Sequence, residues 1–326
     1  MTTQEYGGII YPRTVLPSTN NGGVVMQNEM AEFKKNFEER LAAAKKEKVR
    51  IVLKEQYSDA FDVLADCENA GLIPGIIGPP GTGKTLLLRA YAEKTGRNLY
   101  WVTGDEGVRP SHLTGAFNPS IVLNKGFGLE AFEPGPLLKA MVNGGVFGLN
   151  EGNRLSEYVQ NSLLDPFEEG SISVQRLGRI KAEEGFFPVL TMNPEEMSGA
   201  HRLSEALRDR IRVWIKLGYP RKQTELEIIK MNSPEYTISD ATLERIYALV
   251  SATRVSTDIE IPASIRAGIS IARLSAEMTK RKKEKSVSHA TLSEASTYVL
   301  VGALRFRPGI DTEPAVNALV RRSLGS

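Results

Sequence analysis

The stretch GPPGTGKT, residues 78 to 85, sets three glycines, a lysine and a threonine where they can surround a phosphate. It satisfies G-x-x-x-x-G-K-[ST] in every position, after one apolar run and at the start of a helical one. The glycines let backbone N–H groups converge on phosphate oxygens, and the helix N-terminus adds partial positive charge. Lys84 would reach the β- and γ-phosphates, and Thr85 would give its hydroxyl to Mg²⁺. Gly78, Pro79, Pro80, Gly81, Thr82, Gly83, Lys84, Thr85 and Leu86 are therefore the expected nucleotide-binding residues. An accidental glycine-rich turn explains eight fitting positions poorly.

Further along, VFGLNEGNR (residues 146 to 154) reads as a buried strand delivering Glu151 to a site, where a carboxylate can activate a water. The neighbouring place, where a magnesium-handling aspartate is expected, holds Asn150. An amide keeps one acceptor oxygen but loses the charge that helps to hold the ion. VLTMNP ends another strand in Asn193, LSEALRDRI carries Arg208 and Arg210, and PASIRAGISIARL sets Arg266 near a helix start. Taken singly these are weak signals, since a strand-end Asn is usually a turn former and a lone Arg a solvated face. Their order along the chain carries the information.

Strands and helices must alternate to bring such residues together. LIPGII, NLYWVT, GGVFGLN, FFPVLTMN and VWI are short apolar runs bounded by turn residues. KTLLLRAYAEKTG follows the first of them as a helix stopped by Gly96. The alternation predicts an α/β fold, a mostly parallel sheet covered on both faces. A helix over Gln56 to Asn69 turns Tyr57, Phe61 and Leu64 inward. After VWIKLGYP the strands cease, and the helical runs from Lys222 onward predict an all-helical C-terminal domain, with the boundary near Gly218–Pro220. Residues 1–25 read as an extended arm, and Met26, Met30, Phe33, Phe37, Leu41 and Ala44 recur at helical steps as one apolar face. The division expected is 1–50, 51–219 and 220–326.

Bulk properties narrow the partners. A net charge of +2 in 326 residues argues against a body-wide nucleic-acid or anionic-membrane surface. The single cysteine, Cys67, excludes an internal disulfide, and His112, His201 and His289 form no metal-ligand spacing. No apolar run approaches the roughly 20 residues of a membrane span, and no secretory leader is legible, so a cytoplasmic location is expected. The run KRKKEK, 280 to 285, reads as a solvated helix end, where cations suit the helix dipole.

From about residue 52 to 275 the chain resembles the AAA+ ATPases, and among them the MoxR-like group. GPPGTGKT looks like the family's Walker A, and GVFGLNEGNR resembles its Walker B stretch, usually L-D-E-I-N-R. FEPGPL, VQNSLLDPFEEGSISV, VLTMNP and LSEALRDRI are similar to its G-P-L element, its N-x-L-L-x-x-M-E-E run, its A-T-x-N-P and its L-P-E-A-x-x-D-R-F. The resemblance implies Asn193 as sensor 1, Arg210 as an arginine finger with Arg208 as competitor, and Arg266 as the sensor 2 arginine. With Lys84 and Glu151 these make the expected catalytic set, and Thr85 with Asn150 the expected Mg²⁺ handlers.

The same resemblance implies a five-stranded αβα core with a helical lid, ATP and Mg²⁺ between them, and a ring commonly of six subunits. HLTGAFNPSIVLNKGFGLEAF fits a hairpin inserted into the second helix, with Phe117 and Phe127 as apolar tips suited to a protein client. Nothing after the lid looks like an appended client-binding domain, and MoxR-like proteins commonly pair with a von Willebrand A-type chain. The function expected is a ring-forming ATPase that remodels a protein client, with hydrolysis slowed by weakened metal handling at Asn150. Two rivals are a nucleic-acid-directed motor and a nucleotide-gated scaffold with little turnover.

Overall fold

The computed structural model describes residues 51–193, 202–233, 236 and 238–325. The expected N-terminal arm and the helix from Met26 to Ala44 lie outside these residues. The first element among the described residues, α1 (Gln56–Asn69), buries Tyr57, Phe61 and Leu64 along one face, as its periodicity predicts. It leads to β1 (Ile73–Ile77), buried at all five positions. Proline cannot donate to a ladder, and Pro74 sits at the point where the pairing of this strand shifts register.

Next come α2 (Lys84–Lys94) and β2 (Leu99–Thr103). The insert follows: α3 (Pro110–Thr114), β3 (Gly115–Phe117), α4 (Pro119–Lys125), β4 (Phe132–Pro134) and α5 (Pro136–Val142). β3 and β4 pair antiparallel, so the predicted hairpin forms, with α4 at its tip. Then β5 (Val146–Asn150) enters the main sheet, and α6 (Glu157–Asn161) and α7 (Leu164–Glu168) precede a second hairpin, β6 (Ser171–Val174) with β7 (Gly178–Lys181). β8 (Phe187–Met192), α8 (Glu205–Arg210) and β9 (Ile211–Lys216) complete the core.

The five-stranded sheet runs β2-β5-β8-β1-β9, with every pair parallel. Alternating side chains supply two apolar faces. Ile76, Val146 and Phe187 meet Leu64, Leu87 and Tyr91 from α1 and α2 on one side. Phe147, Leu149 and Leu190 meet Leu138, Met141, Leu163 and Leu207 on the other. Leu64, Leu87 and Leu88 are wholly buried, and each such side chain stabilises the fold by about 1.5–3 kcal/mol. Register aligns Thr103 with Asn150, and Asn150 with Thr191, so the strands end together on one edge. β1 lies between β8 and β9, which both follow it in the chain: the connection leaving β1 runs to β2 at one edge of the sheet, and that leaving β8 passes β1 to reach β9 at the other. Crevices at such a reversal are where open α/β sheets bind ligands.

Beyond Gly218 the chain forms α9 (Lys222–Met231), α10 (Asp240–Val255), α11 (Ile265–Lys282), α12 (His289–Ala303) and α13 (Thr312–Leu324). Ile246, Leu249, Val250, Ile271, Leu292, Leu300 and Val316 form their separate core. Ser239 and Ser288 cap α10 and α12, each accepting from the backbone N–H three residues on. The expectation that strands cease here needs correction. Ile259–Ile261 (β10) and Arg305–Phe306 (β11) pair antiparallel, but runs of three and two residues are too short to show a period. In the basic run, Lys280 pairs with Glu277 and Lys282 with Glu294 at the end of α11, an ordinary solvated helix terminus. No helix among the described residues is long and apolar enough to cross a membrane.

Candidate functional site

The phosphate loop hangs between β1 and α2 at the carboxyl edge of the sheet. Gly83 caps α2 in a left-handed conformation, φ 87° and ψ 15°, which glycine adopts without the clash of a Cβ. The backbone N–H groups of Lys84, Thr85 and Leu86 stand in the first helical turn, where no intrahelical carbonyl can receive them. The side chain of Leu86 is exposed, so its contribution is its backbone N–H. Thr82 Oγ1 donates to Pro79 O at 2.9 Å and pins the loop across its mouth. From below, Tyr57 Oη donates to Thr82 O at 2.9 Å. Burial, followed by the nearby Glu225 carboxylate, pushes the Tyr57 hydroxyl up to about 12, so it stays a donor at neutral pH.

Lys84 is buried, and its Nζ donates to Gly78 O at 2.5 Å, Pro79 O at 3.0 Å and Asn193 Oδ1 at 2.9 Å. It therefore ties the phosphate loop to the end of β8. Sequence order alone separates these two residues by 109 positions, and the parallel β1–β8 pairing removes that separation.

Asn150 ends β5 beside Thr191, whose Oγ1 donates to Asn150 Oδ1 at 2.7 Å. Glu151 follows in the left-handed region, φ 51° and ψ 40°, uncommon for a residue with a Cβ. Its N–H is anchored on Thr191 O at 2.7 Å. Its Oε2 accepts from Arg154 Nη1 at 2.9 Å, across the 3-10 turn Gly152–Arg154. Thr191 and Arg154 are site neighbours that sequence reasoning does not single out. Arg154 stands at helical spacing from Glu151, a signal open to notice. Thr191 gives none, because inter-strand register is invisible in one sequence.

The lid supplies Arg266 from the start of α11. A Cβ built on Gly81 would lie 2.7 Å from Ser264 Cβ and 3.7 Å from Arg266 Cγ. The loop and the lid thus meet at a glycine that no other residue could replace without displacement. Arg210 is placed differently. Its Nη1 donates to Ala206 O at 3.1 Å and its Nη2 to Glu168 Oε2 at 2.5 Å, while its buried Nε has no hydrogen-bond partner among the described residues. Arg208, two residues earlier in the same helix, is exposed.

The oxygen donors fit a magnesium ion carried on phosphates. Thr85 and Asn150 offer a hydroxyl and an amide oxygen, and no group of three or more His, Cys, Asp or Glu forms a metal cage among the described residues. Mg²⁺ keeps several waters and takes few protein ligands when it accompanies phosphate.

Residues 75–211 match the AAA domain, dynein-related subfamily. Over 224 residues the chain is 28% identical to YeaC of Bacillus subtilis, covering 69% of this chain and 65% of that one. Gas vesicle ATPase GvpN of Ancylobacter aquaticus is 30% identical over 224 residues, 64% of this chain and 62% of its own. Chaperone MoxR1 of Mycobacterium tuberculosis is 29% identical over 153 residues, 47% and 38% of the two chains. The matches to YeaC and GvpN thus span less than two thirds of those relatives' length. Among solved structures, NtrX from Brucella abortus superposes with TM-score 0.58 at 16% identity, over 92% of this chain and 66% of that one. A mutant form of Thermotoga maritima RuvB gives 0.51 at 19%, over 81% and 72%. At these identities the structural likeness is one of fold.

Proposed function

We propose that this chain, a member of the MoxR-like AAA+ ATPases, binds ATP at the sheet edge and couples its hydrolysis, within a ring, to remodelling of a protein client. The observation that carries the reading is the convergence at Lys84, which joins the phosphate loop to Asn193 beside the strand that delivers Glu151. That is the arrangement a phosphoryl site needs, because catalysis there is mostly positioning and charge stabilisation. Mg²⁺, when bound, neutralises phosphate charge, with Thr85 and Asn150 as the residues that would hold it.

Each side chain then has a role. Lys84 exchanges its loop carbonyls for phosphate oxygens, and Asn193 orients Lys84 and the attacking water. Glu151 orients that water and accepts its proton once its carboxylate leaves Arg154. Arg266 closes the lid over the γ-phosphate. Arg210 reaches a neighbouring subunit's site and gives up Glu168 to do so, which makes turnover depend on assembly. The insert presents Leu123, 87% exposed, and Phe127, 57% exposed, to a client, whereas Phe117, expected as the other tip, is half-buried and packs its ring against Phe132 of the core. Phe127 is braced by an edge contact with Phe117 and by the Arg176 guanidinium 3.9 Å from its ring centroid.

One observation favours a second reading, a nucleotide-gated scaffold with little turnover. Asn150 brings no charge, and Glu151 is held by Arg154. A turnover assay with Mg²⁺ and then Mn²⁺, with Lys84→Ala as control, tests the proposal. Hydrolysis by the wild type with nucleotide binding lost in the variant supports it, and nucleotide binding without turnover under either ion favours the scaffold.

A further inference from the structure

The lid holds a charge pair withdrawn from solvent. Glu225 in α9 is 0% exposed and Arg254 at the end of α10 is 12% exposed. Arg254 Nη1 donates to Glu225 Oε2 at 2.7 Å and Nη2 to Glu225 Oε1 at 2.6 Å, a two-pronged fork. Its Nε reaches Ala263 O at 3.3 Å, and the guanidinium lies over the Tyr219 ring, 3.7 Å from the centroid. One side chain therefore joins three segments: the hinge after β9, helix α9, and the turn leading into α11. Thr253 reinforces the turn, accepting from Ala263 N at 3.0 Å.

Stability alone accounts poorly for such a pair. Well-packed apolar residues often replace a buried ion pair at no cost, or with a gain. What a rigid planar fork provides is position. The segment it fixes runs from Ala263 through Ser264 to Arg266, and Ser264 is the residue that would collide with any side chain on Gly81.

We propose that Arg254 is a positioning residue for the nucleotide site. Locked on Glu225 and Tyr219, it sets the angle at which the Ala263–Arg266 segment meets the phosphate loop and so aims Arg266 at the γ-phosphate. The inference rests on the ATP-binding reading above. Arg254 touches no phosphate itself. Its effect is therefore specific to the part of the nucleotide that Arg266 contacts, namely what ATP has and ADP lacks.

The test uses the full chain, titrated with a methylanthraniloyl-labelled non-hydrolysable ATP analogue and with labelled ADP. Arg254→Met paired with Glu225→Gln leaves no unpaired buried charge. It is expected to weaken the ATP analogue by about 10-fold, the scale of one misplaced charged contact, with ADP affinity and the melting temperature without nucleotide little changed. Adding Arg266→Ala to that variant should cost no more than Arg266→Ala alone, because both act through one group. Arg254→Lys, which keeps the charge but not the fork, should show an intermediate loss and serves as the readout if the double variant fails to fold. Equal weakening of both nucleotides, unchanged ATP-analogue affinity, or an additive loss with Arg266→Ala overturns the proposal. Failure of the wild type to bind either probe overturns the ATP-binding reading and this inference with it.

Discussion

Replacing Asn150 by aspartate tests the metal handling of the site. The substitution is nearly isosteric, and the bond from Thr191 Oγ1, 2.7 Å long, goes to the amide oxygen, which a carboxylate retains. That bond becomes charge-assisted, rising from the range of about 0.5–1.5 kcal/mol to about 1.5–3 kcal/mol, which offsets desolvation of a half-buried carboxylate. The nearby Glu151 carboxylate is partly neutralised by Arg154 at 2.9 Å, which limits like-charge repulsion. The second carboxylate oxygen then stands where the amide nitrogen was and adds negative charge toward the ion's water shell. Partners at that remove change metal affinity by about 10- to 100-fold. Steady-state ATPase measured against Mg²⁺ concentration should show half-maximal turnover at a concentration lower by about 10-fold, the small end of that range. The gain requires Glu151, so Asn150→Asp with Glu151→Gln should stay inactive. An unchanged or higher Mg²⁺ requirement would refute the idea that the amide weakens the site.

Arg210→Ala should retain nucleotide binding and lose most hydrolysis, and mixing it with Glu151→Gln subunits should restore part of it, with Arg208→Ala milder. Because Arg210 is engaged by Glu168 and Arg208 is exposed, the reverse ranking would move the finger to Arg208. Tyr57→Phe leaves Thr82 O without its donor and should destabilise the chain by about 1–3 kcal/mol in denaturant titrations. The Tyr57 pKa is raised from 10.0 to about 12 in the fold, so its contribution is complete below pH 10 and is lost as pH rises through 12. The unfolded chain releases that proton first, and the wild type should lose about 2–3 kcal/mol relative to Tyr57→Phe across this window.

Local chemistry is the legible part of this protein. Gly83, Lys84 and Thr85 stand in one continuous motif, and α1 and the main-sheet strands announce themselves by period and turn residues. What escapes a sequence reading depends on residues distant in the chain. Thr191 meets Asn150 only through strand register, and Glu168 meets Arg210 across 42 residues. Ser264 reaches Gly81 only because the lid folds back over the loop. Tyr57 reads as inward-facing from its helical period, yet its hydroxyl contact with the phosphate loop is a tertiary fact. The β10–β11 pair lies below the length at which alternation can be recognised.

The proposed dependence of ATP turnover on an assembled ring is tested by the ATPase rate per subunit against protein concentration, with particle mass followed in parallel. The rate should climb with concentration as the mass rises from one subunit to a closed ring, and Lys84→Ala should show no turnover at any concentration. A constant rate per subunit from a particle that stays monomeric would contradict it.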